Sequence, residues 1–79
     1  MDISIVVPQL GVEINEAQVD RWLKAVGDRV RKGEQIVVIT TPKVTLEIEA
    51  PANGVVKAVV AGADEIVKVG ATLGIIAAD

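Results

Sequence analysis

The sequence predicts an all-β fold, a flattened eight-stranded barrel or sandwich of two four-stranded antiparallel sheets. Hydrophobic residues make up 51% of the 79 residues, yet Phe and Tyr are absent and there is a single Trp. Val, Ile, Leu and Ala must therefore fill the core, and the β-branched members of this set pack best on a pleated sheet. Turn signals recur roughly every eight to twelve residues, a spacing typical of short antiparallel strands.

The individual strands are the apolar runs between these turns. The clearest is residues 44–49, where Val44, Leu46 and Ile48 alternate with polar residues, so that one face meets the core and the other meets water. In chain order, the turn signals are Pro8–Gly11, Gly27-Asp28, Lys32-Gly33, Pro42-Lys43, Pro51–Gly54, Gly62–Asp64 and Gly70. The predicted strands between them are residues 3–7, 17–24, 29–31, 35–41, 44–49, 55–61, 66–68 and 72–77.

Residues 13–24 also contain good helix formers, so a short helix is an alternative for this segment. An internal repeat with an offset of 37 residues favours a strand, because the segment then matches a second Val-rich run. Two copies facing each other would close one core with quasi-twofold symmetry. The matched pairs are Ala17 with Gly54, Val19 with Val56, Leu23 with Val60, Val30 with Val67, Gly33 with Gly70, Ile36 with Leu73 and Val38 with Ile75.

Trp22 does not fit a regular strand. Strict alternation from Val19 through Arg21 to Leu23 places the indole on the polar face. The sequence therefore predicts either a β-bulge or a half-exposed indole, and it does not choose between them.

Composition argues against an enzyme acting alone. There is no Cys and no His, and the only Ser is Ser4, so neither a Ser-His nor a Cys-His pair can form and thiolate metal sites are excluded. We predict no catalytic residue and no metal ligand.

Charge and hydropathy limit the kinds of partner that the domain is expected to bind. A net charge of −3 and a single aromatic residue argue against nucleic acid. Mean hydropathy is +0.47, but the longest apolar runs have about four residues, far short of a membrane span. No basic region precedes an apolar stretch at the N-terminus, so we expect no signal peptide.

Lys43 is the candidate functional residue. It lies between two predicted strands in Thr41-Pro42-Lys43-Val44, a sequence suited to a type I turn because proline presets φ at the second position. Lysines at turns are usually only solubilising. This one would be held out at a fixed place by a short, stiff turn, which is the geometry needed to display a covalently attached group.

Motifs along almost the whole chain, from about Ile3 to Ile76, resemble the lipoyl domain of the acyltransferase (E2) components of 2-oxo acid dehydrogenase complexes. Their order and spacing match those of the family, although each is weak alone. The motifs are Pro8–Glu13, Trp22-Leu23, Val26–Val30, Lys32–Glu34, Pro42–Val44, Glu47-Ile48, Ala50-Pro51, Gly54–Val56 and Val69-Gly70.

The resemblance implies that lipoic acid is attached to Lys43, with Thr41, Pro42 and Val44 supporting the turn. It also implies an arm that takes an acyl group from a thiamine-diphosphate-dependent E1 enzyme to coenzyme A on the E2 acyltransferase core. An FAD-dependent E3 dihydrolipoyl dehydrogenase would reoxidise the arm, and a ligase would attach it. In the family, the loop before the second strand lies beside the lysine, so Glu13, Asn15 and Glu16 are candidates for partner recognition.

Three positions depart from the family: Thr40 stands where an acidic residue is usual, and the other two are Pro42 and Ala17. Pro42 stands where an aspartate is usual, which puts recognition by the ligase or by E1 in question. Ala17 replaces a common glycine, and this stiffens the end of the loop.

Two alternative functions remain at this point. A biotinyl carrier shares the fold and a hairpin lysine, but biotin acceptors usually place methionine on both sides of that lysine, whereas this chain has Pro42 and Val44. A lipoyl-like module that carries nothing and serves in assembly is the other alternative. We expect residues 1–79 to form a single monomeric domain, the N-terminal module of a longer acyltransferase, in the bacterial cytoplasm or, in a eukaryote, the mitochondrial matrix.

Overall fold

The computed structural model describes all 79 residues and contains eight strands. Each predicted strand is present, with boundaries that differ by no more than two residues from the prediction, and residues 16–22 form a strand rather than the alternative helix. The structure has no helix that could span a membrane. The strands are β1 (Asp2–Val6), β2 (Glu16–Trp22), β3 (Arg29–Val30), β4 (Gln35–Thr40), β5 (Thr45–Glu49), β6 (Gly54–Val59), β7 (Ile66–Lys68) and β8 (Thr72–Ala78).

The strands form two four-stranded antiparallel sheets that are related by quasi-twofold symmetry. The first sheet has the order β1-β8-β6-β3 and the second the order β5-β4-β2-β7. With an offset of 37 residues, β2 corresponds to β6, β3 to β7 and β4 to β8. If β5 is also matched with β1, replacing each strand by its counterpart converts the order of one sheet into that of the other. The predicted architecture is confirmed, and the domain is elongated, with extents of 36 × 20 × 17 Å.

The core is entirely apolar and is shared by the two halves. Fifteen buried hydrophobic residues form one cluster, and no polar or charged residue is buried. Burying this aliphatic surface is the main term that stabilises so small a domain. Four repeat-related pairs lie in the cluster: Val19 with Val56, Val30 with Val67, Ile36 with Leu73 and Ile39 with Ile76.

A β-bulge resolves the position of Trp22. On β2, the pairing with β4 shifts register between Val19 and Arg21, so the residues after the shift change faces. The indole then packs against the core, and its Nε1–H donates a hydrogen bond to the carbonyl of Ala61 at 2.7 Å. Gly74 makes room for the ring, because a Cβ there would lie 2.7 Å from it.

The bulge is itself repeated. The pairing of β6 with β8 shifts register between Val56 and Ala58, 37 residues after the shift in β2. An irregularity that occurs at equivalent places in both halves is part of the fold's symmetry rather than a local defect.

A carboxylate closes three of the turns. Asp28, Glu34 and Glu65 each accept a hydrogen bond from the backbone N–H three residues earlier, at 2.8 to 3.0 Å. Glu34 also pairs with the ammonium group of Lys24 at 3.1 Å. The backbone N–H of Arg31 and then the Lys24 ammonium lower the pKa of Glu34 from its ordinary value.

This interaction predicts a pH dependence of stability. A carboxyl whose folded-state pKa is depressed stabilises the fold above its unfolded-state pKa and loses this contribution as pH falls through the folded-state pKa. We expect Glu34→Gln to melt below the wild type at pH 7 and the two curves to converge below the folded-state pKa of Glu34. Thermal unfolding followed by circular dichroism against pH measures this. Glu47→Gln, at a glutamate without an ion pair, is the control, and an equal effect there would contradict the assignment.

Candidate functional site: a lysine at a hairpin tip

The hairpin of β4 and β5 holds Lys43 in solvent. The strands pair from Gln35 opposite Glu49 up to Thr40 opposite Thr45, and the four residues between Thr40 and Thr45 form the tip. Four consecutive residues of β4, from Ile36 to Ile39, are buried, whereas Lys43 is exposed. A core strand therefore anchors the base of the hairpin, and the lysine is displayed at the far end, as predicted.

The tip is closed by a side chain rather than by the backbone bond expected for a type I turn. Thr41 Oγ1 accepts the N–H of Val44 at 2.9 Å and that of Lys43 at 3.2 Å. The Thr41 N–H in turn donates to the Val44 carbonyl at 2.7 Å. The expected bond would run from the Val44 N–H to the Thr41 carbonyl, and the threonine hydroxyl takes the place of that carbonyl.

The loop between β1 and β2 lies beside the lysine. Its residue Leu10 packs against the core, and the carbonyl of Asn15 accepts the Val69 N–H at 3.0 Å, so the loop is fixed at both ends. Between these anchors the loop forms a shallow cleft against the hairpin tip. Glu13, Ile14, Asn15 and Glu16 line this cleft together with Pro42 and Lys43. All three predicted recognition residues are thus brought to the lysine.

Two apolar neighbours of the lysine were not predicted. Val12 is fully exposed at the loop tip, and with Ile14 it lines a second cleft that also reaches Lys43. Their signal in the sequence is weak, because single exposed apolar residues are normal on protein surfaces.

Lys43 differs from the other cations in its surroundings. Four of the eight Lys and Arg side chains form ion pairs, namely Arg21, Lys24, Arg29 and Lys57. Of the four without an ion pair, only Lys43 borders a cleft. Its side chain is therefore not engaged by a carboxylate, and it lies next to a cleft.

The chain ends lie at the opposite end of β4 from Lys43. The N–H of Asp79 bonds to the carbonyl of Asn53 at 3.0 Å, and the side chain of Asn53 accepts the Lys32 N–H at 2.7 Å. Lys32 precedes β4 and Lys43 follows it, so the six residues of that strand, about 20 Å at ~3.3 Å per residue, separate the ends from the tip.

Comparison with known proteins identifies this arrangement. The sequence model of the biotin/lipoyl family, described as "Biotin-requiring enzyme", matches residues 3–76. The chain is 37% identical over 73 residues to the dihydrolipoyllysine-residue acetyltransferase component of the acetoin cleaving system of Pseudomonas putida, covering 92% of this chain and 20% of that protein. It is 38% identical over 76 residues to the corresponding component of the pyruvate dehydrogenase complex of Corynebacterium glutamicum, covering 96% of this chain and 11% of the relative.

A solved structure gives the same result for the fold. The lipoyl domain of the 2-oxoglutarate dehydrogenase complex from Azotobacter vinelandii superimposes with a TM-score of 0.74 at 36% identity and covers 91% of both chains. Fold, sequence and length all agree across this match. The chain therefore belongs to the biotin/lipoyl family and is, within that family, a lipoyl domain.

Proposed function

We propose that Lys43 carries lipoic acid and that the domain displays this arm to the enzymes of an acyl-transferring complex. The amine nitrogen of Lys43 would form an amide bond with the carboxyl carbon of an activated lipoyl donor. The bond between that carbon and the donor's leaving group breaks, and a proton leaves the nitrogen. The observation that carries the proposal is the exposed Lys43 side chain without an ion pair, on a tip held by a buried strand, in a chain that is 36% identical to a solved lipoyl domain.

The residues at the tip fit such a group. A long arm needs an attachment point that is accessible and fixed in place, and the hairpin provides both. When bound, the lipoyl dithiolane supplies the acyl-transfer and redox chemistry, whereas the domain supplies binding surface and position. Thr41, Pro42 and Val44 would support the turn, while Glu13, Asn15 and Glu16 would face the partner in the adjoining cleft.

The proposed partners follow from the relatives. These are components of an acetoin cleaving system, a pyruvate dehydrogenase complex and a 2-oxoglutarate dehydrogenase complex. We propose a thiamine-diphosphate-dependent E1, an E2 acyltransferase core that uses coenzyme A, an FAD-dependent E3 and an attaching ligase. The domain itself acts as a non-catalytic carrier, and tethering would keep the arm at high effective concentration near each active site.

A longer parent chain fits this role. This chain spans only 11% to 20% of the length of the two acetyltransferase components. We propose that it is the N-terminal module of such an acyltransferase, in the bacterial cytoplasm or the mitochondrial matrix, and that the isolated domain is a monomer.

One experiment separates lipoate from the alternatives. The purified domain is incubated with a lipoate ligase or with a biotin ligase, each with its cofactor and ATP, and its intact mass is measured. We expect one lipoyl increment and no biotinyl increment. Biotinylation instead would establish the biotinyl carrier, and the absence of either modification would favour an unmodified assembly module.

Pro42→Asp tests the departure next to the lysine. The substitution restores the residue usual in the family and places a carboxylate beside Lys43, on the face that the ligase and E1 would contact. We expect faster lipoylation, or faster turnover of the lipoylated domain with E1. Pro42→Ala controls for loss of the ring alone. Rates equal to those of the wild type would show that the proline does not impair recognition.

A further inference from the structure

The hydroxyl of Thr41 accepts two of the three backbone N–H groups of the hairpin tip. Of the four tip residues, Pro42 has no N–H. The Thr41 N–H donates to the carbonyl of Val44, and the N–H groups of Lys43 and Val44 both donate to Thr41 Oγ1. The hydroxyl also donates to the Val44 carbonyl at 3.1 Å. Every backbone donor of the tip is thus paired, and two of the three depend on one oxygen atom.

This closure differs from that of the other turns closed by side chains. In the turns closed by Asp28, Glu34 and Glu65, the acceptor is a carboxylate on the fourth residue, and it binds the N–H of the first. At the Lys43 tip the acceptor is a neutral hydroxyl on the first residue, and it binds the N–H groups of the third and fourth. The Thr41 hydroxyl therefore bonds directly to the backbone of Lys43, the third residue of its turn. In the other three turns, the carboxylate bonds only to the backbone of the first residue.

From this geometry we propose that Thr41 is a positioning residue for modification of Lys43. Its hydroxyl fixes the backbone of Lys43, and hence the direction in which the side chain leaves the tip. This inference rests on the proposed function, because it names the residue that prepares the attachment site. In this role Thr41 acts through the backbone of Lys43 and Val44 and is not itself a reacting group.

Removing the hydroxyl should loosen the tip without unfolding the domain. In Thr41→Val the shape and β-branching of the side chain are retained, but the N–H groups of Lys43 and Val44 lose their acceptor. The ligase must then order the tip when it binds, and part of the binding energy is spent on that ordering. We expect kcat/KM for lipoylation to fall about tenfold, equivalent to ~1.4 kcal/mol, mainly through a higher KM.

Three variants and two measurements test the inference. Thr41→Val is compared with Thr41→Ser, which keeps the hydroxyl, and with Thr45→Val, which removes the hydroxyl that lies 3.2 Å from Thr40 Oγ1 just below the tip. The measurements are ligase kinetics and amide hydrogen exchange at Lys43 and Val44, with the melting temperature recorded for each variant. We expect slower lipoylation and faster exchange in Thr41→Val alone, with wild-type behaviour in the other two and little change in melting temperature.

The outcomes separate this inference from the proposed function. If the wild type is not lipoylated at all, the proposed function fails, while the exchange rates still report whether the hydroxyl holds the tip. If the wild type is lipoylated and Thr41→Val is modified equally well, the inference is wrong. It is also wrong if Thr41→Ser fails to restore the rate, or if Thr45→Val slows the reaction as much.

Discussion

Lys43→Arg is expected to abolish lipoylation completely and to leave the fold unchanged. A guanidinium group stays protonated at neutral pH, so it offers no free amine for amide formation. Arginine keeps the positive charge and a similar length, and Lys43 is exposed and makes no ion pair, so no folded-state interaction is lost. Intact mass after incubation with lipoate ligase should show no increment, and the melting temperature should match that of the wild type.

Lys32→Arg provides the matched control. Lys32 is also an exposed lysine in a turn without an ion pair, but it precedes β4 instead of following it. This variant should be lipoylated like the wild type. A lipoyl increment on Lys43→Arg would place the attachment on another amine. A marked loss of stability in Lys43→Arg would instead give the residue a structural role.

Ile36→Ala is expected to cause the largest loss of stability. Ile36 is fully buried in β4, where it belongs to the cluster shared by both sheets. Its truncation removes apolar burial and leaves a cavity, which together cost about 2–5 kcal/mol at such sites. Small domains are typically stable by only ~5–15 kcal/mol, and in a domain of this size even 2 kcal/mol lowers the melting temperature by roughly 8–16 °C.

Urea unfolding followed by Trp22 fluorescence measures this effect, because the indole packs against the core and becomes hydrated on unfolding. Ile66→Ala is the matched control: it removes the same atoms from a strand residue that is 61% exposed. It should change the free energy of unfolding far less. Equal losses at the two positions would contradict the assignment of the core.

The effect of Ile36→Ala on modification should be small as long as the domain is folded. Ile36 lies at the start of β4 and Lys43 beyond its end, so the cavity forms far from the tip. Below its melting temperature, the variant should accept lipoate at close to the wild-type rate. Lower stability with unchanged lipoylation would show that Ile36 supports the fold and not the attachment site.

Much of this fold could be read from local sequence patterns. Alternation in residues 44–49 and the turn signals located the strands, and the repeat identified the two halves, because side chains that fill equivalent core positions must be similar in kind. The position of Lys43 at a hairpin tip could be predicted because it depends only on local sequence: a proline turn between two clearly patterned strands.

Features that depend on distant partners could not be predicted. The bulge after Val19 brings Trp22 to the Ala61 carbonyl, a contact between residues 39 positions apart, and the sequence left it undecided. The sequence predicts only a supporting role for Thr41. A turn closed by the threonine hydroxyl and one closed by the threonine carbonyl have the same sequence, so the pattern does not distinguish them. Asp64 adopts a φ of 71° where the repeat-related residue is Gly27, and although Gly62–Asp64 was predicted as a turn, the sequence did not indicate which of its residues takes the left-handed conformation.

The adjacency of the two termini has an engineering consequence. The Ala78 N–H bonds to the carbonyl of Met1 at 2.7 Å, and ion pairs join Asp79 to Arg29 and Asp2 to Lys57. The two ends of the chain are therefore adjacent, at the end of the domain remote from Lys43. The domain could be inserted into a surface loop of an unrelated host, or strung in tandem copies, and each copy would still present its lysine outward.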